Sequence, residues 1–74
     1  MILYPTPTRL RRLREVEAGG VCRYGDRQDY DPRGCKVTSA VAELERAGWI
    51  RLGEPQPVKT LWQLTDAGKA VLHG

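Results

Sequence analysis

Phenylalanine is absent from this chain, histidine and methionine occur once each, cysteine twice, and apolar residues form no long run. Each scarcity excludes something. A membrane span needs about 18 consecutive apolar residues. Met1-Ile-Leu-Tyr4 is apolar but ends at Pro5, and it is too short for a secretory leader and has no basic residue ahead of it. The chain is therefore expected in the cytoplasm, where Cys22 and Cys35 default to free thiols, at least one of them partly buried. They bracket a turn-rich segment, so a disulfide across a hairpin is geometrically allowed. A structural zinc site wants about four ligands, and the single histidine, His73, lies at the end of the sequence. There are no paired carboxylates in an apolar setting, no glycine loop to cradle a phosphate, and no base near Ser39. Neither an enzyme nor a bound cofactor is expected.

What is present fits one small globular domain spanning residues 1–74, with 41% hydrophobic and 28% charged residues. A chain this short has a thin margin of stability. The net charge of +3 is compatible with a nucleic-acid partner. All of that excess lies in the first half, in Arg9, Arg11, Arg12, Arg14, Arg23, Arg27, Arg33 and Lys36, since acids and bases balance from residue 37 onward. Nine arginines against three lysines suggest a GC-rich source such as a phage or other mobile element.

Thr6-Pro7-Thr8 opens a helix, with a threonine cap and proline at the first position. It runs through Ala18 to a stop at Gly19-Gly20. Leu10, Leu13 and Val16 make a narrow apolar stripe. Arg9, Arg11, Arg12 and Arg14 lie opposite, as a solvated face or as a surface for phosphates or an acidic partner. Between Val21 and Lys36, glycine, proline and aspartate interrupt every window, so no proper helix is expected. Val21-Cys-Arg-Tyr24 reads as a short strand followed by a loop back to Cys35-Lys-Val37.

From Val37 the pattern is regular. Val37, Val41 and Leu44 form a core-facing stripe with Ala40 and Ala47 beside it, and Gly48 ends the helix in the left-handed conformation. Ile50 with Leu52, and Trp62 with Leu64, alternate as two strands that each bury one face. Trp49 and Trp62 supply much of the core volume. Pro55 and Pro57 confine the loop between the strands. Thr65 caps a last helix, Asp66 favours its positive end, and Gly68 permits close backbone approach. Ala67, Val71 and Leu72 of that helix face the core or a partner.

The joints Ala47-Gly-Trp-Ile50 and Leu64-Thr-Asp-Ala-Gly68, with helix, hairpin and helix in that order, resemble the winged helix-turn-helix domains of bacterial and phage transcription regulators. The resemblance covers residues 37–72 and, less closely, Thr6 to Ala18. It implies an α+β fold: a small winged-helix domain with a three-helix-type core, a two-stranded β-hairpin wing and an irregular loop in place of the usual supporting helix. It also implies binding of double-stranded DNA. Carried onto this sequence, the reading face is Lys36, Thr38, Ser39, Ala42, Glu43 and Arg46. The wing adds Arg51 and Lys59.

By residue type, Thr38 and Ser39 suit phosphates or base edges, Lys36 a phosphate, Ala42 a thymine methyl and Glu43 a cytosine amino group. Arg46 is the one side chain of the bidentate base-reading type. The irregular loop offers Arg23, Arg27 and Arg33 interleaved with Tyr24 and Tyr30, as a DNA contact or as a self-paired solvated loop. A domain of this size is expected to bind specifically only as a homodimer or at tandem sites. Two functions stand at this point. One is a small transcriptional regulator or accessory factor that binds DNA. The other is a winged-helix protein-interaction module that takes an acidic partner through its arginine-rich first helix.

Overall fold

The computed structural model describes residues 4–25 and 28–74. Among these residues three helices and four antiparallel strands follow one another as α1 (Pro7–Glu17), β1 (Cys22–Tyr24), β2 (Asp29–Tyr30), α2 (Thr38–Arg46), β3 (Ile50–Leu52), β4 (Lys59–Leu64) and α3 (Asp66–His73). The strands form one sheet in the order β2-β1-β4-β3. This is a small α+β domain. Among the described residues no helix is long and apolar enough to cross a membrane.

Helix boundaries follow local chemistry. Thr6 accepts from the Arg9 amide at 3.3 Å, and Pro7 takes the first position of α1. α2 closes at Gly48 (φ 81°), where the amides of Gly48 and Trp49 donate to Glu45 and Leu44 carbonyls at 2.9 and 3.1 Å. That is a Schellman closure, which satisfies carbonyls the helix end would otherwise leave bare. Thr65 caps α3 by accepting from the Gly68 amide at 3.1 Å, while its hydroxyl donates to the Gly48 carbonyl at 2.5 Å. The cap thus ties the start of α3 to the end of α2.

The core lies on one face of the sheet. Leu13 and Val16 of α1, Val41 and Leu44 of α2, and Ile50, Trp62 and Leu64 of the hairpin are buried together with Val21, Val37 and Trp49. Val71 and Leu72 of α3 pack against this cluster. Ala67 does not: it is exposed, because its neighbour Gly68 is the residue turned toward Trp49. A Cβ built on Gly68 falls 1.9 Å from the Trp49 carbonyl oxygen, so only glycine lets the chains approach this closely. Leu52 also departs from its expected burial and is 36% exposed. It faces Trp62 across the ladder, but β3 is the edge strand, so its outer flank is uncovered.

The segment expected to be an irregular loop is more ordered than its composition suggests. β1 pairs with β2, matching Cys22 to Tyr30 and Arg23 to Asp29, and a single bridge joins Tyr30 to Lys36. A second hairpin therefore stands before α2, and no helix forms among its described residues. Both cysteines are free thiols, with Cys22 buried and Cys35 exposed.

Candidate nucleic-acid interface

Two aspartates organise the approach to α2. Asp29 is fully buried and accepts from the Trp62 indole N–H at 2.6 Å and from Arg23 Nε and Nη2 at 3.2 and 3.4 Å. The Arg23 guanidinium lies over the Trp62 ring at 4.9 Å, so cation, carboxylate and indole close one network. The Asp29 backbone also holds the start of α2: its amide donates to Thr38 Oγ1 at 3.1 Å, and its carbonyl accepts from the Val37 amide at 2.7 Å. The Thr38 hydroxyl in turn donates to Gln28 Oε1 at 3.0 Å.

Asp31 is 5% exposed and pins the turn behind β2. Its carboxylate accepts from the Cys35 and Arg33 amides at 2.8 and 3.0 Å and faces the Arg33 and Arg12 guanidinium groups at 3.4 and 3.5 Å. The Cys35 amide is the main reason its pKa lies below the ordinary aspartate value; burial opposes the shift, and Arg33 adds to it.

These networks sort the residues nominated from sequence. Arg23, Arg33 and Thr38 are engaged inside the hairpin. Arg27 lies outside the described residues. Glu43 is ion-paired with Arg9, whose Nε donates to it at 2.6 Å. Lys36, Ser39 and Arg46 are exposed at or on α2, and Ala42 is half-buried. Arg51 and Lys59 are exposed on β3 and β4. Among the described residues Lys36, Arg46, Arg51 and Lys59 make no ion pair. Of the α1 arginines, Arg9 binds Glu43 and Arg12 binds Glu15 at 2.7 Å, while Arg11 and Arg14 are exposed and make no ion pair among the described residues.

Asp29 and Asp31 are the residues that sequence reasoning undervalued. In the sequence they read as turn formers that, with glycine and proline, interrupt a helix. The one available signal was their alternation with Arg23, Tyr24, Tyr30 and Arg33, which is also what a solvated loop looks like. No family model matches the chain, and neither a curated protein nor a solved structure is significantly similar to it.

Proposed function

We propose that this chain is a small winged-helix protein that binds double-stranded DNA, a transcriptional regulator or accessory factor. One observation carries the proposal: among the described residues, four of the seven lysines and arginines without an ion pair, Lys36, Arg46, Arg51 and Lys59, are borne by α2, its leading residue and the hairpin that follows it. α2 buries Val41 and Leu44 and turns Ser39, Glu43 and Arg46 outward. The Arg9 ion pair offsets the charge of Glu43, the side chain on this face that most opposes a phosphate backbone.

Two further features support it. β3 and β4 form a hairpin after α2, as a wing would, and β4 pairs with β1 inside the sheet. The hairpin β1–β2 stands where a supporting helix would be, and it holds the start of α2 through Asp29. In this arrangement α2 enters the major groove, with Lys36 and Arg46 on phosphates near its two ends. An acidic protein partner on α1 is less well supported, because Arg9 and Arg12 are already taken by internal acids and Arg11 and Arg14 alone are left to meet it.

Fluorescence anisotropy with random-sequence duplex DNA over a salt series tests this. Binding is expected to weaken linearly in log–log form with rising salt, and Lys36→Ala or Arg46→Ala is expected to lower the slope by about one each. Unchanged binding by both variants would remove α2 as the reading element.

A further inference from the structure

Strand alternation assigns a second surface. Residues whose side chains leave the core face of the sheet are Cys22 and Tyr24 on β1, Tyr30 on β2, Lys59, Leu61 and Gln63 on β4, and Arg51 on β3. The register makes them neighbours: Tyr30 faces Cys22, Cys22 faces Leu61, Tyr24 faces Lys59 and Arg51 faces Gln63. The bridge from Tyr30 to Lys36 adds a cation at the β2 margin. The helices contribute their apolar side chains to the opposite face, and on this one Tyr24, Arg51, Lys59 and Gln63 are exposed while Tyr30 and Leu61 are half-buried and Cys22 is buried.

At its centre the Tyr24 and Tyr30 rings meet edge to face, 5.3 Å apart with 74° between their planes. Tyr24 is 38% exposed, and a hollow of about 490 Å³ lies beside the pair, bounded also by Cys22, Asp31, Pro32 and Gly34. The Tyr24 pKa is raised, first by its O–H donating toward the Cys22 sulfur and then by charge on that thiol. Lys36 stands at the β2 margin of this face, Lys59 beside Tyr24 on the inner strand β4, and Arg51 on the edge strand β3, none of them ion-paired among the described residues. Of the acids beside this face, Asp31 is buried and occupied by its own turn, while Glu54 and Glu17 each line a hollow shared with Arg51, Leu61 and Gln63.

We propose that this open sheet face binds an unpaired DNA strand, with a base stacked on Tyr24, braced by Tyr30, and the phosphates drawn to Lys36, Lys59 and Arg51. The chemistry is that of a stacking platform in a positive frame: any base offers a π face to tyrosine, while the cations follow the backbone. Duplex DNA cannot use such a surface, because its bases are already stacked on one another. An acidic peptide would satisfy the lysines but leave the rings without a matching partner. The side chains suit DNA over RNA, since reading a 2′-hydroxyl needs placed polar groups. Beyond the tyrosine hydroxyls, Gln63 supplies the uncharged one on this face.

The test is anisotropy of the full chain with a labelled, non-self-complementary single-stranded DNA oligonucleotide, beside its duplex and the RNA of the same sequence. Wild-type protein is expected to bind the single strand in a salt-dependent way and more tightly than the RNA. Tyr24→Leu is expected to weaken single-strand binding roughly tenfold. Tyr24→Phe should restore it, and Lys59→Ala should lower the salt slope by about 0.7. Arg46→Ala, on α2, should leave single-strand binding unchanged while weakening duplex binding, and Tyr24→Leu should do the reverse; Lys36, Arg51 and Lys59 serve both contacts, so these two variants are the ones that tell the readings apart. The inference is overturned if wild-type protein ignores the single strand at low salt or prefers the RNA. It is equally overturned if folded Tyr24→Leu binds like wild type, or, should that variant not fold, if Lys59→Ala leaves the slope intact.

Discussion

Residues 37–64 and residues 21–36 each end in a hairpin on the same sheet, but different forces hold them. In the later segment Val41, Leu44, Ile50, Trp62 and Leu64 meet in one apolar cluster, and a glycine closure turns helix into strand. In the earlier one the strands are three and two residues long, too short to bury much. Order there comes from Asp29 and Asp31, each buried and each collecting several donors. An apolar cluster is tolerant of shape and can be read from periodicity. A carboxylate network is all-or-none, since each member left unpartnered costs the full desolvation of a buried polar group. The polar segment also positions the outward face of α2, so the more fragile part of the fold governs the proposed duplex contact.

Breaking the polar network should show the largest effect. Asp29→Ala removes the acceptor of the Trp62 indole and the partner of Arg23, and it is expected to cost about 2–4 kcal/mol in urea denaturation. Arg23 is partly exposed and can recover water, which keeps the figure below that of a fully buried pair. Asp29→Asn should recover part of the loss, because an amide oxygen still accepts from Trp62. A cost under about 1 kcal/mol for the alanine variant would mean that the chain on either side holds the hairpin, and the contrast with residues 37–64 would fail.

The apolar segment has its own weak point at Gly68. Alanine normally gains up to about 1 kcal/mol over glycine in a helix. Here the added methyl meets the Trp49 carbonyl at 1.9 Å, and overpacking of this kind costs about 1–3 kcal/mol. The steric cost wins, and Gly68→Ala is expected to lower the thermal midpoint although it improves local helix propensity. A raised midpoint would show that α3 shifts away from Trp49 at little cost, making the apolar half the looser of the two.

These two sites also mark what could be read in advance. Caps at Thr6 and Thr65, the stop at Gly48, the close approach at Gly68 and the burial of both tryptophans all follow from chemistry within a few residues, and the sequence displays them. β1 was legible as a short strand from Val21 to Tyr24, but its partner β2 was hidden because its decisive bond joins Asp29 to Trp62, 33 positions apart. The internal partners of Arg23 and Thr38 were hidden for the same reason, since they become neighbours only once the sheet forms. Leu52 shows the converse: its alternation with Ile50 is genuine, but alternation cannot tell an edge strand from a central one. Lys36, Arg46, Arg51 and Lys59 were legible as cations, whereas their freedom from ion pairs depended on which acids the fold consumed.

The smallest expected effect separates the two aspartate sites by pH. Asp31 has its folded-state pKa lowered from the ordinary 3.8, first by the Cys35 amide and then by the amide and guanidinium of Arg33. The folded state therefore binds a proton less readily than the unfolded chain. Stability from this group is fully present above the ordinary aspartate value and is lost as pH falls through the lowered one. Urea midpoints measured from neutral pH downward should decline on that acid limb, and Asp31→Asn should flatten it. The asparagine retains an oxygen for the two turn amides but gives up attraction to Arg33, whose exposed side chain makes the ion pair a minor part of the whole. A decline equally steep in the variant would assign the acid sensitivity to other carboxylates, leaving the Asp31 turn held by hydrogen bonds that an amide supplies as well.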